Sequence, residues 1–99
     1  MRVIAIKILR EFWQQPKYAD SENALRSWYT ETKDADWKTT QHIKKKYRNA
    51  SFLSDNRVVF NIHGNKYRLV VHINYPYKIV YVKFIGTHKQ YDEIDAETI

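Results

Sequence analysis

Two runs rich in Val, Ile, Phe and Tyr, residues 57–63 and 66–74, are separated by Gly64-Asn65 alone. A two-residue loop of residues that tolerate positive φ, set between such runs, is a strong β-hairpin signal. It also dictates register. With only Gly64 and Asn65 in the loop, His63 faces Lys66, Asn61 faces Arg68, Val59 faces Val70 and Arg57 faces His72. Side chains alternate faces along a strand. One face therefore carries Arg57, Asn61, His63, Lys66, Arg68 and His72 and is expected to be basic and wet. The other carries Val58, Phe60, Ile62, Tyr67, Leu69, Val71 and Ile73 and is expected to be the core face.

A third run, Ile79 to Ile85, follows a turn at Tyr75-Pro76-Tyr77. An even loop pairs His72 with Tyr81 and Val70 with Lys83. Tyr81 and Lys83 then join the basic face, and Val80, Val82 and Phe84 the core face. An odd loop would need a bulge or would reverse this placement. The run ends at Gly86, followed by Thr87-His88-Lys89-Gln90-Tyr91-Asp92, dense in titratable groups where a strand leaves a sheet.

Upstream, Arg2–Ala5 reads as a short strand. Ile6–Gln15 reads as a helix with Ile8, Leu9, Phe12 and Trp13 on one stripe, closed by Pro16. Asp20 or Ser21 is expected to cap a second helix. On it, Leu25, Trp28, Tyr29 and Thr32 follow the i, i+3, i+4, i+7 pattern. Lys33–Lys38 is a polar connector. Thr39 or Thr40 caps a third helix running to Tyr47, which carries Lys44-Lys45-Lys46 ahead of Arg48. Ser51-Phe52-Leu53 is expected to anchor a loop, Ser54-Asp55-Asn56 to turn, and the acidic tail to form a last helical turn or fray. Helices precede an antiparallel meander. The expected class is α+β, with N-terminal helices packed on one face of a small, mainly antiparallel sheet and the other face open.

Ninety-nine residues suit one domain, 1–99, with one modest core. No apolar run is long enough for a membrane span, and the N-terminus lacks the pattern of a signal peptide. The chain has no cysteine, which excludes disulfides and thiol chemistry and fits a cytoplasmic location. His42, His63, His72 and His88 show no metal-ligand spacing, so no metal or other cofactor is expected. Net charge is +6 and very unevenly spread. Residues 37–91 hold 11 bases and one acid, Asp55; the remainder holds 6 bases and 10 acids. A field of that kind favours a polyanion, most simply a nucleic acid.

The element order, the basic sheet face and the closing Thr87-His88-Lys89-Gln90-Tyr91-Asp92 resemble the HigB toxins of the RelE-like superfamily. So do Asp55–Ile62, Gly64–Val70, Leu25-Arg26 with Trp28-Tyr29, and Ala35–Lys38. The resemblance covers nearly the whole chain and implies a RelE-like toxin domain. It further implies a type II toxin–antitoxin ribonuclease that cuts mRNA on the ribosome without a metal, through attack by the RNA 2′-hydroxyl. A HigA-like helix-turn-helix antitoxin would neutralise it. In-line transfer needs a base, cations on the phosphate and an acid for the leaving oxygen. Arg68 and Lys83 are candidates to neutralise the phosphate, His88 to move protons, and Tyr91 to stack or move protons. Asp92 either orients His88 or caps the last turn. Arg57, Lys66, His72, Lys44, Lys45, Lys46 and Lys89 are candidate RNA contacts. Tyr75, Tyr77 and Tyr81 are candidates to stack bases. The rival reading is a non-catalytic single-stranded RNA-binding module on the same basic sheet. A third is a toxin relative that keeps only its antitoxin interface.

Overall fold

A computed structural model describes all residues, 1–99. The strands are β1 (Arg2–Ile4), β2 (Ser51–Phe52), β3 (Arg57–Ile62), β4 (Tyr67–Asn74) and β5 (Ile79–Thr87). The helices are α1 (Ile6–Trp13), α2 (Glu22–Asp34), α3 (Thr40–Lys46) and α4 (His88–Asp92), with a 3-10 helix at Pro16–Ser21 between α1 and α2. The sheet order is β1-β5-β4-β3-β2. The β1–β5 pair is parallel and the others antiparallel. This is the α+β architecture anticipated above.

The hairpin register is the expected one: Arg57 pairs with His72, Val59 with Val70, and Asn61 with Arg68. The turn closes with the Lys66 amide donating to the His63 carbonyl at 3.2 Å. Positive φ falls on His63 (55°) and Gly64 (66°), not on Asn65. The β4–β5 loop has four residues, Tyr75–Lys78, and pairs Asn74 with Ile79 and His72 with Tyr81. The Asn74 side chain accepts from the Tyr77 amide, and Lys78 takes the left-handed conformation.

The register expected for β5 fails beyond Val82. A β-bulge inserts Lys83, so Val70 pairs with Phe84 and Leu69 with Ile85. An extra residue reverses the facing of every side chain after it. Ile85 therefore replaces Phe84 in the main core, and Phe84 moves to the opposite face beside Val59 and Val70.

The main core lies between the helices and the sheet. Leu9, Phe12, Trp13, Leu25 and Trp28 pack on Phe60, Ile62, Tyr67, Leu69 and Val71. Phe60 is its aromatic centre, with ring centroids of Trp28, Trp37 and Tyr47 at 5.6, 6.1 and 5.0 Å. Trp37 is thus a core residue within a polar connector. Ile8 is exposed, because it lies about 100° around the helix from Leu9. Ser21 occupies the N-cap position of α2, yet its hydroxyl donates back to the Tyr18 carbonyl at 2.7 Å. The 3-10 helix runs straight into α2, so the side chain closes the turn behind it instead of capping ahead. Ser51-Phe52 is not a buried anchor; it forms an edge strand on β3.

The acidic tail does not fray. Ala96 is buried against Val59 and Val70, with Ile94 and Ile99 packed around them. The Arg57 Nε and Nη2 donate to the Ile99 main-chain oxygen at 3.0 and 2.6 Å. Part of the face expected to be open and wet is covered by the chain's own last residues. The reason is local: Val59 and Val70 sit on that face between its polar residues and need an apolar cover.

Asp20, on the 3-10 helix, ties that helix to the hairpin tip. It accepts from the Lys66 ammonium and the Tyr67 hydroxyl. The Lys66 hydrogen bond, then that from Tyr67, holds the Asp20 carboxyl below its ordinary range, and the same ion pair raises Lys66. A depressed carboxylate stabilises the fold above its unfolded pKa, and that contribution vanishes as pH falls through the folded one. Asp20→Asn is therefore expected to melt below wild type at neutral pH. The gap should close in acid, below the ordinary carboxylate range. Parallel melting curves against pH test this, and a gap that persists in acid would show that the charge is not its source.

Candidate functional site

Thr87 begins α4 with a reciprocal cap. Its hydroxyl accepts from the Gln90 amide at 3.2 Å, and the Gln90 side chain accepts from the Thr87 amide at 2.9 Å. This fixes how the chain leaves β5. Gly86, paired with Arg68, leaves room for two side chains: a Cβ there would lie 2.6 Å from both the Gln90 side-chain amide oxygen and the tip of the Phe84 ring, and would displace them. The result is that α4 turns back over the start of β4.

Three of the expected residues converge there. The Arg68 guanidinium lies 5.2 Å from the Tyr91 ring centroid, within cation–π range. Its Nη2 is 3.5 Å from His88 Nδ1, and His88 Nε2 contacts the Asn65 main-chain oxygen. A carbonyl only accepts, so Nε2 carries the proton and Nδ1 presents its lone pair to Arg68. This assignment follows from the partners. The Nδ1 side of the ring thus faces the guanidinium. The Arg68 Nε is buried and has no hydrogen-bond partner. Buried donors of that kind are uncommon in folded proteins. Asp92 is exposed and is not a partner of His88.

Arg68 forms part of the wall of an open cleft of about 720 Å³ between the hairpin tip and the α3–β2 segment. The other lining residues are Lys44, Arg48, Asn49, Ala50, Ser51, Asn61, Gly64 and Asn65. The lining has three cations and no carboxylate. Lys44 Nζ donates to the Ala50 carbonyl at 2.9 Å, and Asn61 donates to the Asn49 carbonyl at 3.3 Å, which holds the loop against β3. Arg48 belonged to the basic run that the sequence marked for phosphate contact, but Asn49 and Asn65 were not among the candidates. The adjoining basic run was the only signal for Asn49; its convergence on Arg68 depends on how the segment after α3 is held against β3.

The remaining candidates lie elsewhere or are engaged. Lys83 is the bulge residue. Its Nζ sits 5.8 Å from the Tyr81 ring, and none of its contacts is to Arg68, His88 or Tyr91. His72 stacks on Tyr81 with centroids 6.2 Å apart. Arg57 is held by Asp55 at 2.9 Å as well as by Ile99, with its side chain only 11% exposed. Lys66 is bound to Asp20, and Lys46 lies 3.6 Å from Glu31. Lys45 and Lys89 are exposed. Tyr77 is exposed at the β4–β5 turn, and Tyr75 is partly buried against the core. No group of three or more His, Cys, Asp or Glu is placed to hold a metal ion. No helix is long and apolar enough to cross a membrane.

A model of the HigB toxin family, described as the RelE-like toxic component of a toxin–antitoxin system, matches residues 21–94. That segment contains the whole cleft lining with His88 and Tyr91. The mRNA interferase HigB of Escherichia coli O6:H1 (strain CFT073) is 31% identical, over 79% of this chain and 78% of that protein.

Proposed function

The chain belongs to the HigB family of RelE-like toxins, and on that premise we propose that it is an mRNA-cleaving endoribonuclease whose reaction runs where Arg68, in the cleft wall, meets His88 and Tyr91. The observation that carries this reading is the carboxylate-free cleft in which Arg68 is bracketed by an imidazole nitrogen and an aromatic face.

The chemistry follows from these groups. A scissile phosphate entering the cleft meets Arg68, whose planar fork suits two phosphate oxygens. Lys44 and Arg48 hold the neighbouring backbone. As the guanidinium turns to the phosphate, His88 Nδ1 is released and takes the proton of the RNA 2′-hydroxyl. The 2′-oxygen bonds to phosphorus, the bond to the 5′-oxygen breaks, and a 2′,3′-cyclic phosphate remains. The imidazolium so formed is the proton source for the departing 5′-oxygen. Tyr91 braces Arg68 from below. The Asn65 carbonyl fixes the imidazole orientation, in the way a third group orients the base in other acid–base sites. No step uses a metal. The substrate is mRNA held on the ribosome, and a HigA-like antitoxin with a helix-turn-helix domain silences the toxin.

The test is mapping of mRNA 5′ ends after brief expression, wild type beside His88→Ala. New cuts within translated regions that fall by about 10²- to 10⁴-fold in the variant are expected for a proton-transfer group. Cuts at undiminished rate in His88→Ala would move the proton transfer to another residue. No cuts with wild type would favour the RNA-binding module. Cuts in purified RNA without ribosomes would remove the ribosome from the proposal.

A further inference from the structure

We infer that His72, Tyr81 and Lys83 form a second single-stranded RNA subsite, which stacks a base on Tyr81 and holds its phosphate with Lys83. This inference rests on the mRNA reading above and extends it to the flanking substrate.

Three observations support it. First, the two rings are preorganised: His72 and Tyr81 are a cross-strand pair, inclined by 28° with centroids 6.2 Å apart. They are only partly buried, and they lie on the side of the sheet away from the main core. Second, the bulge at Lys83 interrupts the β4–β5 ladder at the residue whose ammonium it sets 5.8 Å from the Tyr81 centroid. Bulges re-aim side chains in this way. Lys83 is exposed and forms no ion pair, whereas neighbouring Arg57 is consumed by Asp55 and Ile99. Third, the cluster lies on the same face of β4 as Arg68. His72 is four residues further along, about 13 Å at strand spacing. The tail covers Val70 between them, so a strand that engages both places passes around that cover, a path of several nucleotides. An aromatic face beside a free cation is the chemistry that binds a single-stranded nucleotide irrespective of its base. An acidic peptide would use the cation and leave the rings without a role.

The subsite is testable without cleavage, using 2′-O-methyl RNA, whose blocked 2′-oxygen cannot attack. Affinities are compared for oligonucleotides of about four and about fifteen nucleotides. Tyr81→Ala is expected to weaken the long one about tenfold and leave the short one unchanged. Tyr81→Phe keeps the ring and should keep the affinity. Lys83→Ala should lower the salt slope for the long oligonucleotide by about one. Unchanged long-oligonucleotide affinity in Tyr81→Ala overturns the inference. So does an equal loss for both lengths, and so does weakened antitoxin binding with unaltered RNA affinity. If wild type cuts no mRNA but the length-dependent loss is seen, the nuclease reading falls and the subsite stands. If it cuts and the loss is absent, the subsite alone falls.

Discussion

Replacing Arg68 by alanine is expected to reduce mRNA cleavage by about 10²- to 10³-fold, the scale of losing one preorganised donor at a site of developing charge. The transferring phosphoryl group carries negative charge throughout, and Arg68 Nη2 lies 3.5 Å from His88 Nδ1. Lys44, tethered to the Ala50 carbonyl on the α3–β2 side of the cleft, is a point charge without the guanidinium's fork and does not replace it. Arg68→Lys restores charge without the fork and should recover only part of the rate. The fold should tolerate both changes, because Arg68 lies off the main core and its Nε has no partner to lose. The check is a cleavage time course in a translating extract, with melting temperature measured in parallel. Wild-type cleavage by Arg68→Ala would remove this residue from the site.

The second large effect is on stability. Phe60→Ala is expected to cost about 3–5 kcal/mol, the range for emptying a fully buried aromatic site. Phe60 is 1% exposed and lies at the meeting point of Trp28, Trp37 and Tyr47. Three large rings on three segments cannot collapse together into the space it leaves. Domains of this size are stable by about 5–15 kcal/mol, so a large share of the total is lost. Urea unfolding followed by tryptophan fluorescence reads this directly. A loss below about 1 kcal/mol would mean that the aromatic cluster repacks freely.

The two effects separate the molecule's halves. Phe60 belongs to the face of β3 that meets the helices. Arg68 belongs to the opposite face, where the chain keeps polar groups. Alternation along a strand places them apart, so the site can change without disturbing the core.

Much of this was legible in the residues. The Gly64-Asn65 loop fixed every pair from Arg57–His72 to Ile62–Tyr67, because turn length and a period of two are local properties. The core face of β3 and β4, the burial of Trp13 and Trp28, and the concentration of positive charge between residues 37 and 91 were equally plain. So was the likeness of the closing Thr87–Asp92 segment to a toxin family. That likeness also marked Arg68, His88 and Tyr91 as candidates; their meeting depends on the Thr87–Gln90 cap, which sets how α4 leaves β5.

What the sequence left open are the relations between distant segments. The bulge leaves Lys83 without the Val70 pairing expected of it, and no residue near Lys83 announces it. Lys66 is a free cation on paper; Asp20, 46 residues earlier, claims it once the 3-10 helix docks beside the hairpin. Arg57 is likewise taken by Ile99, 42 residues on. Arg48 and Asn49 reach the cleft because β2 pairs with β3 and Asn61 holds the Asn49 carbonyl. Local geometry follows from neighbours in the chain, so sequence alone determined strands, register and faces. Which charges stay free to act depends on contacts across the fold, and only the tertiary structure decides those.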